Sequence, residues 1–300
     1  MSNDTQDTKR ATAPASSPDA NVFGVDHDAH DDGVKGFIVR AAFGVGYAVI
    51  FILCLVFGTL PTAIFTALMS WLCCFEFYRM MRLDGKVPNE WLGLAAAVLF
   101  PLSALVDSVW LLALLFILVL SLGLWYVYSP RTRISDVCVT AFGPLYTGFM
   151  LSAIVLLREA VPGWQGALLS VGVCASVWIS DSLAYIVGSR LGRHKMAPRI
   201  SPHKTWEGFV GGLLGSVIIW LILWATGQYD MNLPYTIACG IVVGILGVFG
   251  DLIESRIKRG VGVKDSGNLI PGHGGMLDRS DSLIFACITA HLMLTIGGVI

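Results

Sequence analysis

Long apolar segments recur through most of this 300-residue chain, and they constrain its fold more than any other feature. A helix needs about 20 apolar residues to cross a bilayer, because each residue adds about 1.5 Å and the hydrocarbon layer is about 30 Å thick. The composition agrees, with 55% hydrophobic residues, 14% charged residues and a mean hydropathy of +0.71. The sequence therefore predicts an all-α integral membrane protein. We identify nine candidate spans, at residues 41–57, 62–78, 91–106, 110–128, 137–157, 167–187, 209–226, 234–250 and 282–300.

The chain divides into three parts by composition. Residues 1–36 are rich in Asp, Pro and Ser and predict a disordered acidic tail, because they hold too little apolar surface to offset the entropy of ordering. Residues 37–165 carry about five predicted spans, and residues 166–300 carry about four spans together with most of the polar motifs. The seven cysteines lie in or beside apolar segments without a Cys-x-x-Cys pair, so we expect neither a disulfide framework nor a zinc site.

The basic residues predict the orientation of these spans. With nine spans, 19 of the 20 Lys and Arg residues fall on one side of the membrane, and Arg158 falls on the other. Short loops rich in Lys and Arg stay in the cytoplasm. We therefore expect the N-terminal tail and the polar loops to be cytoplasmic, with an active site facing the same side.

A polar stretch from Asp251 to Asp281 separates the last two predicted spans and predicts an active site at the membrane surface. Asp278 and Asp281 are three residues apart and share a helix face. With Asp251 they form a set of carboxylates that suits a Mg²⁺ ion holding substrate phosphates. Cationic side chains surround this set and would clamp a polyphosphate; they are Lys258, Arg259, Lys264 and Arg279.

A second cluster lies on the same predicted side. Asp181 falls inside the sixth span, where an ionised group is costly and indicates function. Lys204 and Thr205 lie at the expected start of the next helix, where backbone N–H groups favour an anion. Ser201 could cap that helix, and the Ser or Thr followed by Glu207 is similar to a capping arrangement. We expect both clusters to address one phosphate-rich ligand.

The same residues resemble the signature of the phosphatidate cytidylyltransferase family, also called CDP-diacylglycerol synthases. The resemblance covers the C-terminal half from about Asp181 onward. It rests on Ser255-x-Ile257-Lys258-Arg259-x4-Lys264-Asp265, Pro271-Gly272-His273-Gly274-Gly275, Asp278-Arg279-x-Asp281, Ser201-Pro202-x-Lys204-Thr205-Trp206-Glu207-Gly208 and Asp181-x-x-Ala184-Tyr185. Ser280 stands where the family usually has a bulkier apolar residue.

The resemblance implies a polytopic enzyme, usually dimeric, that condenses CTP with phosphatidic acid in the presence of Mg²⁺ to give CDP-diacylglycerol and pyrophosphate. It implies that Asp251, Asp278 and Asp281 hold the metal. The implied catalytic residues are Lys258, Lys264, Asp265, His273 and Arg279, and the implied substrate-binding residues are Asp181, Ser201, Lys204, Thr205, Glu207 and Arg259. Two roles stay open: His273 either donates to a phosphate or protonates the leaving group, and Asp265 either orients Lys264 or binds ribose.

Other interpretations remain. A basic loop that only grips anionic lipid headgroups would explain Lys258 and Arg259, but not a His flanked by glycines. A CTP-dependent lipid kinase is the closest mechanistic alternative, and a polytopic transporter is a weaker one because the charges gather at one face. We predict a bacterial plasma membrane location and no nucleic-acid partner.

Overall fold

The computed structural model describes residues 33–267 and 274–300, although the side chains of residues 33–43 and 108 fall outside this description. α-Helices account for most of the described residues. They are α1 (Gly33–Phe57), α2 (Thr59–Leu83), α3 (Glu90–Ser103), α4 (Ser108–Tyr128), α5 (Ile134–Pro144), α6 (Ser152–Glu159), α7 (Trp164–Leu191), α8 (Trp206–Ala225), α9 (Leu233–Gly260) and α10 (Leu277–Ile296). A π-helical segment, Leu145–Phe149, connects α5 to α6.

The helices coincide with the apolar segments of the sequence. Within the described residues, six helical runs are long and apolar enough to cross a membrane: Thr59–Leu83, Val109–Tyr128, Ile134–Glu159, Trp164–Leu191, Trp206–Ala225 and Leu233–Gly260. Two apolar helices, Gly44–Phe57 and Glu90–Ser103, are shorter. The prediction of a helical membrane protein is confirmed in this form. The count of nine spans stays a prediction, and α10 carries three charged residues in its first two turns.

Short polar side chains fix where several helices begin. Asn89, Thr205 and Asn232 each accept a hydrogen bond from a backbone N–H in the first turn of the helix that follows, at 3.3, 3.2 and 2.9 Å. Such caps satisfy N–H groups that have no partner inside the helix. The start of α8 corrects one expectation, since Thr205 and not Ser201 is its cap.

A small β-hairpin lies between α7 and α8 and was not predicted. Strand β1 (Lys195–Ala197) pairs antiparallel with β2 (Ser201–Thr205), and Lys195 lies opposite Thr205. The predicted all-α class is confirmed for the described residues, with this short hairpin as an addition. The strands are short, and Ser201 lies in β2 and not at a helix terminus. Lys204 in β2 lies next to α9, one of the C-terminal helices.

The C-terminal helices approach each other closely because glycines line their contact. An added Cβ at Gly212 in α8 would lie 2.8 Å from the carbonyl oxygen of Ser180 in α7. At Gly240 in α9 it would lie 2.7 Å from the Cα of Val217 in α8. Small residues at such interfaces permit tight packing in membranes, where dispersion and not water drives helix association. This packing holds α7, α8 and α9 together around the polar residues described below.

Tertiary hydrogen bonds join helix ends that the predicted topology puts on the same side. Arg158, at the end of α6, is buried and donates from Nε to the carbonyl oxygen of Leu55 in α1 at 2.6 Å. Tyr229, after α8, donates to the carbonyl oxygen of Gln165 at the start of α7 at 2.7 Å. The hairpin and the start of α10 lie at the other ends of these helices.

Candidate functional site

Two cavities share a wall formed by α7 and α10. The first, of about 350 Å³, lies among the hairpin, α7, α8, α9 and α10. The second, of about 330 Å³, lies among α1, α7 and α10. Both are lined by Asp181, Asp278, Arg279, Asp281 and Ser282. Residues predicted from separate motifs therefore meet at one place.

Lys204 and Asp251 form an ion pair at the first cavity. Lys204 Nζ in β2 lies 2.6 Å from Asp251 Oδ2 in α9, and both side chains are partly exposed. Ser255, one turn further along α9, donates its hydroxyl to the other carboxylate oxygen of Asp251 at 3.2 Å. Because α9 runs on to Gly260, Asp251 lies inside the helix and not at its end, and Lys204 from the hairpin is the cation that neutralises it.

Asp181 in α7 and Asp281 in α10 belong to the wall that the two cavities share. Both carboxylates line both cavities, and Asp251 joins them at the first. Asp281 also accepts a hydrogen bond from the backbone N–H of Ser282 at 2.7 Å. Several carboxylates in one partly enclosed space repel each other unless cations neutralise them. The Lys and Arg side chains that line the first cavity are Lys204 and Arg279, and His203 lines it as well.

Asp278 is bound within the protein by four donors. Its Oδ1 accepts from Lys258 Nζ at 2.6 Å, and its Oδ2 accepts from the backbone N–H and hydroxyl of Ser266, both at 3.0 Å, and from the Gly275 N–H at 2.7 Å. Burial alone would raise the pKa of Asp278, but the hydrogen bonds from Lys258 and Gly275 outweigh it and hold the pKa below its ordinary value. The prediction that Asp278 holds a metal stays untested by this arrangement, although its oxygens already have partners.

Lys258 is a buried residue that bridges two carboxylates. Its ammonium pairs with Glu254, one turn earlier in α9, and with Asp278 at the start of α10. Glu254 is fully buried, and its Oε1 has no hydrogen-bond partner among the described residues. Buried charges of this kind are held only when they are paired. The predicted catalytic role of Lys258 stays a prediction, and the contacts favour action through Asp278.

Most of the remaining predicted residues in the described chain line neither cavity. Arg259 is exposed and donates to the carbonyl oxygen of Val263 at 3.0 Å. Lys264 and Asp265 are exposed in the segment that follows α9. Among the predicted substrate-binding residues in the described chain, Thr205 lines the first cavity with Lys204, whereas Ser201 and Glu207 are absent from its lining.

Glu207 links the two ends of the hairpin region. Its carboxylate lies 2.6 Å from His194 Nδ1 and accepts from the backbone N–H groups of Arg193 and His194. These contacts join the chain after α7 to the first turn of α8. His273 lies outside the described residues, as do Pro271 and Gly272.

Sequence reasoning missed two buried acids. Glu76 in α2 accepts hydrogen bonds from the N–H groups of Met276 and Leu277 at 2.9 Å, and it lies 2.9 Å from the Ser266 hydroxyl that it shares with Asp278. Glu254 pairs with Lys258. A signal for Glu76 existed, because it is a carboxylate within an apolar segment, and such residues indicate function by default. Ser266 gave no sequence signal of its own.

The donor set at the first cavity suits a hard cation. Mg²⁺ usually takes one or two protein carboxylates and fills its other positions with waters and substrate phosphates. Asp251 and Asp281 line one cavity and meet that requirement. In the described part of the chain, no three or more His, Cys, Asp and Glu residues form a ready-made metal cluster. The residues therefore fit a metal that arrives with a phosphate ligand better than a fully enclosed resident ion.

The fold and the site together define a helical membrane protein with acidic and basic side chains gathered at one end of its C-terminal helices. The family model described as "Cytidylyltransferase family" matches residues 38–297, so this chain belongs to that family. The chain is 31% identical over 263 residues to a phosphatidate cytidylyltransferase of Bacillus subtilis (strain 168), covering 86% of this chain and 97% of that protein. It is 45% identical over 118 residues to the protein of the same name from Staphylococcus haemolyticus (strain JCSC1435), covering 39% of this chain and 45% of that protein.

Proposed function

We propose that this protein transfers a cytidylyl group from CTP to phosphatidic acid, giving CDP-diacylglycerol and pyrophosphate for phospholipid synthesis. A phosphate oxygen of phosphatidic acid attacks the α-phosphorus of CTP and forms a new P–O bond. The bond from that phosphorus to the bridging oxygen of the β-phosphate breaks, and its electrons leave with pyrophosphate. The phosphate monoester has a second pKa near 6, so it is largely ionised at neutral pH and needs no strong base.

The observation that carries this proposal is the meeting of separate motifs at two adjoining cavities. Asp181, Lys204, Asp251, Arg279 and Asp281 come from α7, the hairpin, α9 and α10, yet all line the first cavity. Two substrates that each carry phosphate need space next to a common set of cations. Membership of the cytidylyltransferase family and the similarity to two phosphatidate cytidylyltransferases support the same reaction.

The first cavity suits the triphosphate of CTP. Lys204 and Arg279 would neutralise phosphate oxygens there and stabilise the charge that builds on the leaving pyrophosphate. Thr205 and the glycine at 208 bring the start of α8 to the same cavity. Backbone N–H groups at a helix start favour anions, which adds to the positive field.

The second cavity suits the lipid substrate. Its α1 side presents Gly44, Tyr47 and Ala48, and its α7 side presents Trp178 next to Asp181. A mostly apolar opening that ends at charged side chains matches a lipid with acyl chains and a phosphate headgroup. The shared wall would then bring the lipid phosphate to the α-phosphorus of CTP.

Mg²⁺ is the cofactor expected from the residue types and from the family resemblance. Asp251 and Asp281 would hold it. When bound, it would shield the phosphate charges and polarise the phosphorus for attack. Asp278 would support the site through its hydrogen bonds to neighbouring residues and not as a metal ligand. Lys258 would hold Asp278 in place.

We further propose a bacterial plasma membrane location, with nine spans, the hairpin in the cytoplasm and homodimers as the assembled form. The distribution of Lys and Arg supports the orientation, since 19 of 20 then lie on the cytoplasmic side. CTP is a cytosolic, charged molecule and does not cross a bilayer unaided, which requires the first cavity to open to the cytosol.

The experiment that tests the reaction uses purified protein, phosphatidic acid vesicles, Mg²⁺ and CTP labelled in the base. We expect a labelled lipid and stoichiometric pyrophosphate. A lipid kinase would release labelled CDP and leave the lipid unlabelled, and a transporter would consume no CTP. Either of these results would overturn the proposal.

A further inference from the structure

Glu76 joins the N-terminal helices to the polar segment that precedes α10. It lies near the end of α2, and only 4% of its surface is exposed. One carboxylate oxygen accepts from Met276 N–H and the other from Leu277 N–H, both at 2.9 Å. These are the N–H groups at the very start of α10, which have no acceptor within that helix. Glu76 therefore caps α10 from a different part of the chain.

The Ser266 hydroxyl connects Glu76 to the site. It lies 2.9 Å from Glu76 Oε2 and 3.0 Å from Asp278 Oδ2, and the serine is itself buried. Asp278 is in turn bound by Lys258 at 2.6 Å. A continuous chain of polar contacts thus runs from α2 to α9 through the first turn of α10. The single hydroxyl proton of Ser266 serves one of the two carboxylates at a time, while the backbone N–H groups of Ser266, Gly275, Met276 and Leu277 supply fixed donors to them.

Glycines around Glu76 show how closely this region is packed. A Cβ added at Gly267 would lie 2.8 Å from Glu76 Oε1, and a Cβ added at Gly275 would overlap the Glu76 carboxylate and the Ser266 hydroxyl. Gly274 has a φ of +80°, a conformation that other residues rarely adopt. Gly274 and Gly275 therefore make room for the carboxylates of Asp278 and Glu76.

We infer that Glu76 is a positioning residue: it fixes the start of α10 and so sets the placement of Arg279 and Asp281 at the two cavities. This inference rests on the proposed function for its consequence in catalysis, although the contact itself does not depend on it. Arg279 and Asp281 follow Leu277 by two and four residues, within the first two turns of α10. A shift of about 1 Å in catalytic groups can lower a rate by about 100-fold.

The first measurement reads the contact without any substrate. Hydrogen exchange is followed by mass spectrometry in the full-length protein and in the Glu76→Gln variant, over peptides covering residues 274–283. Glutamine keeps the volume but replaces one acceptor oxygen with an NH₂ group. We expect exchange at this segment to accelerate by about tenfold, because loss of one such hydrogen bond lowers the cost of local opening. Unchanged exchange would overturn the inference, whether or not the protein uses CTP.

The second measurement separates positioning from general stability. We expect Glu76→Gln to lower kcat by about 10- to 100-fold while KM for phosphatidic acid changes little. Ser266→Ala, which removes only the bridging hydroxyl, should lower kcat in the same direction by a smaller factor. If wild-type protein makes CDP-diacylglycerol and Glu76→Gln has a normal kcat, the inference fails while the proposed function stands.

Asp136 provides a matched control. It is also a buried carboxylate, 5% exposed, and it accepts from the backbone N–H groups of Val87 and Arg133 at 3.0 and 3.2 Å. Its partners join α5 to the segment after α2 and do not line either cavity. Asp136→Asn should cost similar thermal stability but leave kcat within about twofold. An equal loss of kcat in Asp136→Asn would show that Glu76 acts only through stability, and would overturn its positioning role.

Discussion

Lys204 Nζ lies 2.6 Å from Asp251 Oδ2, and this ion pair ties the hairpin to α9 at the edge of the first cavity. In the proposed function, the nucleotide phosphates would need the cation of this pair, and the metal would need its anion. Entry of a phosphate next to Lys204 and of Mg²⁺ next to Asp251 would replace one favourable contact with two. The pair therefore lies where the proposed nucleotide and its metal would bind.

Lys204→Ala should raise KM for CTP and lower kcat/KM by about 10- to 100-fold, because it removes a charge that stabilises the phosphates. Lys195→Ala is the matched control, since Lys195 is an exposed lysine of the same hairpin. We expect the control to retain kcat/KM within about twofold. Steady-state kinetics at fixed lipid concentration measure both. Equal effects of the two substitutions would make Lys204 an ordinary surface cation.

Asp251→Asn should lower turnover by about 100-fold or more, because the variant keeps the shape of the side chain but loses the charge that would hold Mg²⁺. The apparent Mg²⁺ requirement should also rise, which a titration of rate against Mg²⁺ concentration measures. Asp230→Asn, an exposed aspartate after α8, is the control. Normal turnover and an unchanged Mg²⁺ titration in Asp251→Asn would remove Asp251 from the metal site.

Lys258→Met should destabilise the protein by about 3–5 kcal/mol, because it leaves Glu254 buried without a cation. Thermal unfolding in detergent measures the loss. The double variant Glu254→Gln/Lys258→Met removes both charges and should recover part of the stability. Arg259→Ala, at the exposed next position, should change stability by at most about 0.5 kcal/mol. A stable Lys258→Met protein would show that the buried pair is not needed for folding.

The sequence predicted the helices well and individual side-chain environments less well. Apolar length alone located the helical segments, because a bilayer demands about 20 apolar residues at a time. The hairpin around Lys195 and Thr205 was missed, since three- and five-residue strands in a polar stretch carry no alternation long enough to detect. The sequence predicts Ser201 as a possible helix cap, but Ser201 begins strand β2 and Thr205, at the end of that strand, is the cap.

The sequence predicted which residues gather at the candidate site better than it predicted which of them pair with each other. The spacing of Asp278 and Asp281 put both at the same two cavities. The sequence spacing did not indicate that Lys258 donates a hydrogen bond to Asp278, because pairing between α9 and α10 depends on tertiary packing. Glu76 is 200 residues away in sequence from its partner Met276, a separation that no local pattern reveals.

Ala48→Phe should raise KM for phosphatidic acid by about tenfold and leave KM for CTP nearly unchanged, because the added ring would fill part of the second cavity and not the first. Val49→Phe is the control: Val49 is the next residue of α1, its side chain is 48% exposed, and it does not line that cavity. Initial rates are measured with each substrate varied in turn. A rise in KM for CTP alone would reverse the assignment of the two cavities.

The predicted topology puts the hairpin and the segment after α8 on opposite sides of the membrane. Lys195 and Asp230 are exposed residues in these two places, so each is replaced by cysteine in a background without the seven native cysteines. In intact cells, a membrane-impermeant thiol reagent should label the cysteine of Asp230→Cys and not that of Lys195→Cys. In inverted vesicles the pattern should reverse, because the cytoplasmic face is then exposed to the reagent. Labelling of Lys195→Cys from outside intact cells would contradict the orientation and the access route proposed for CTP.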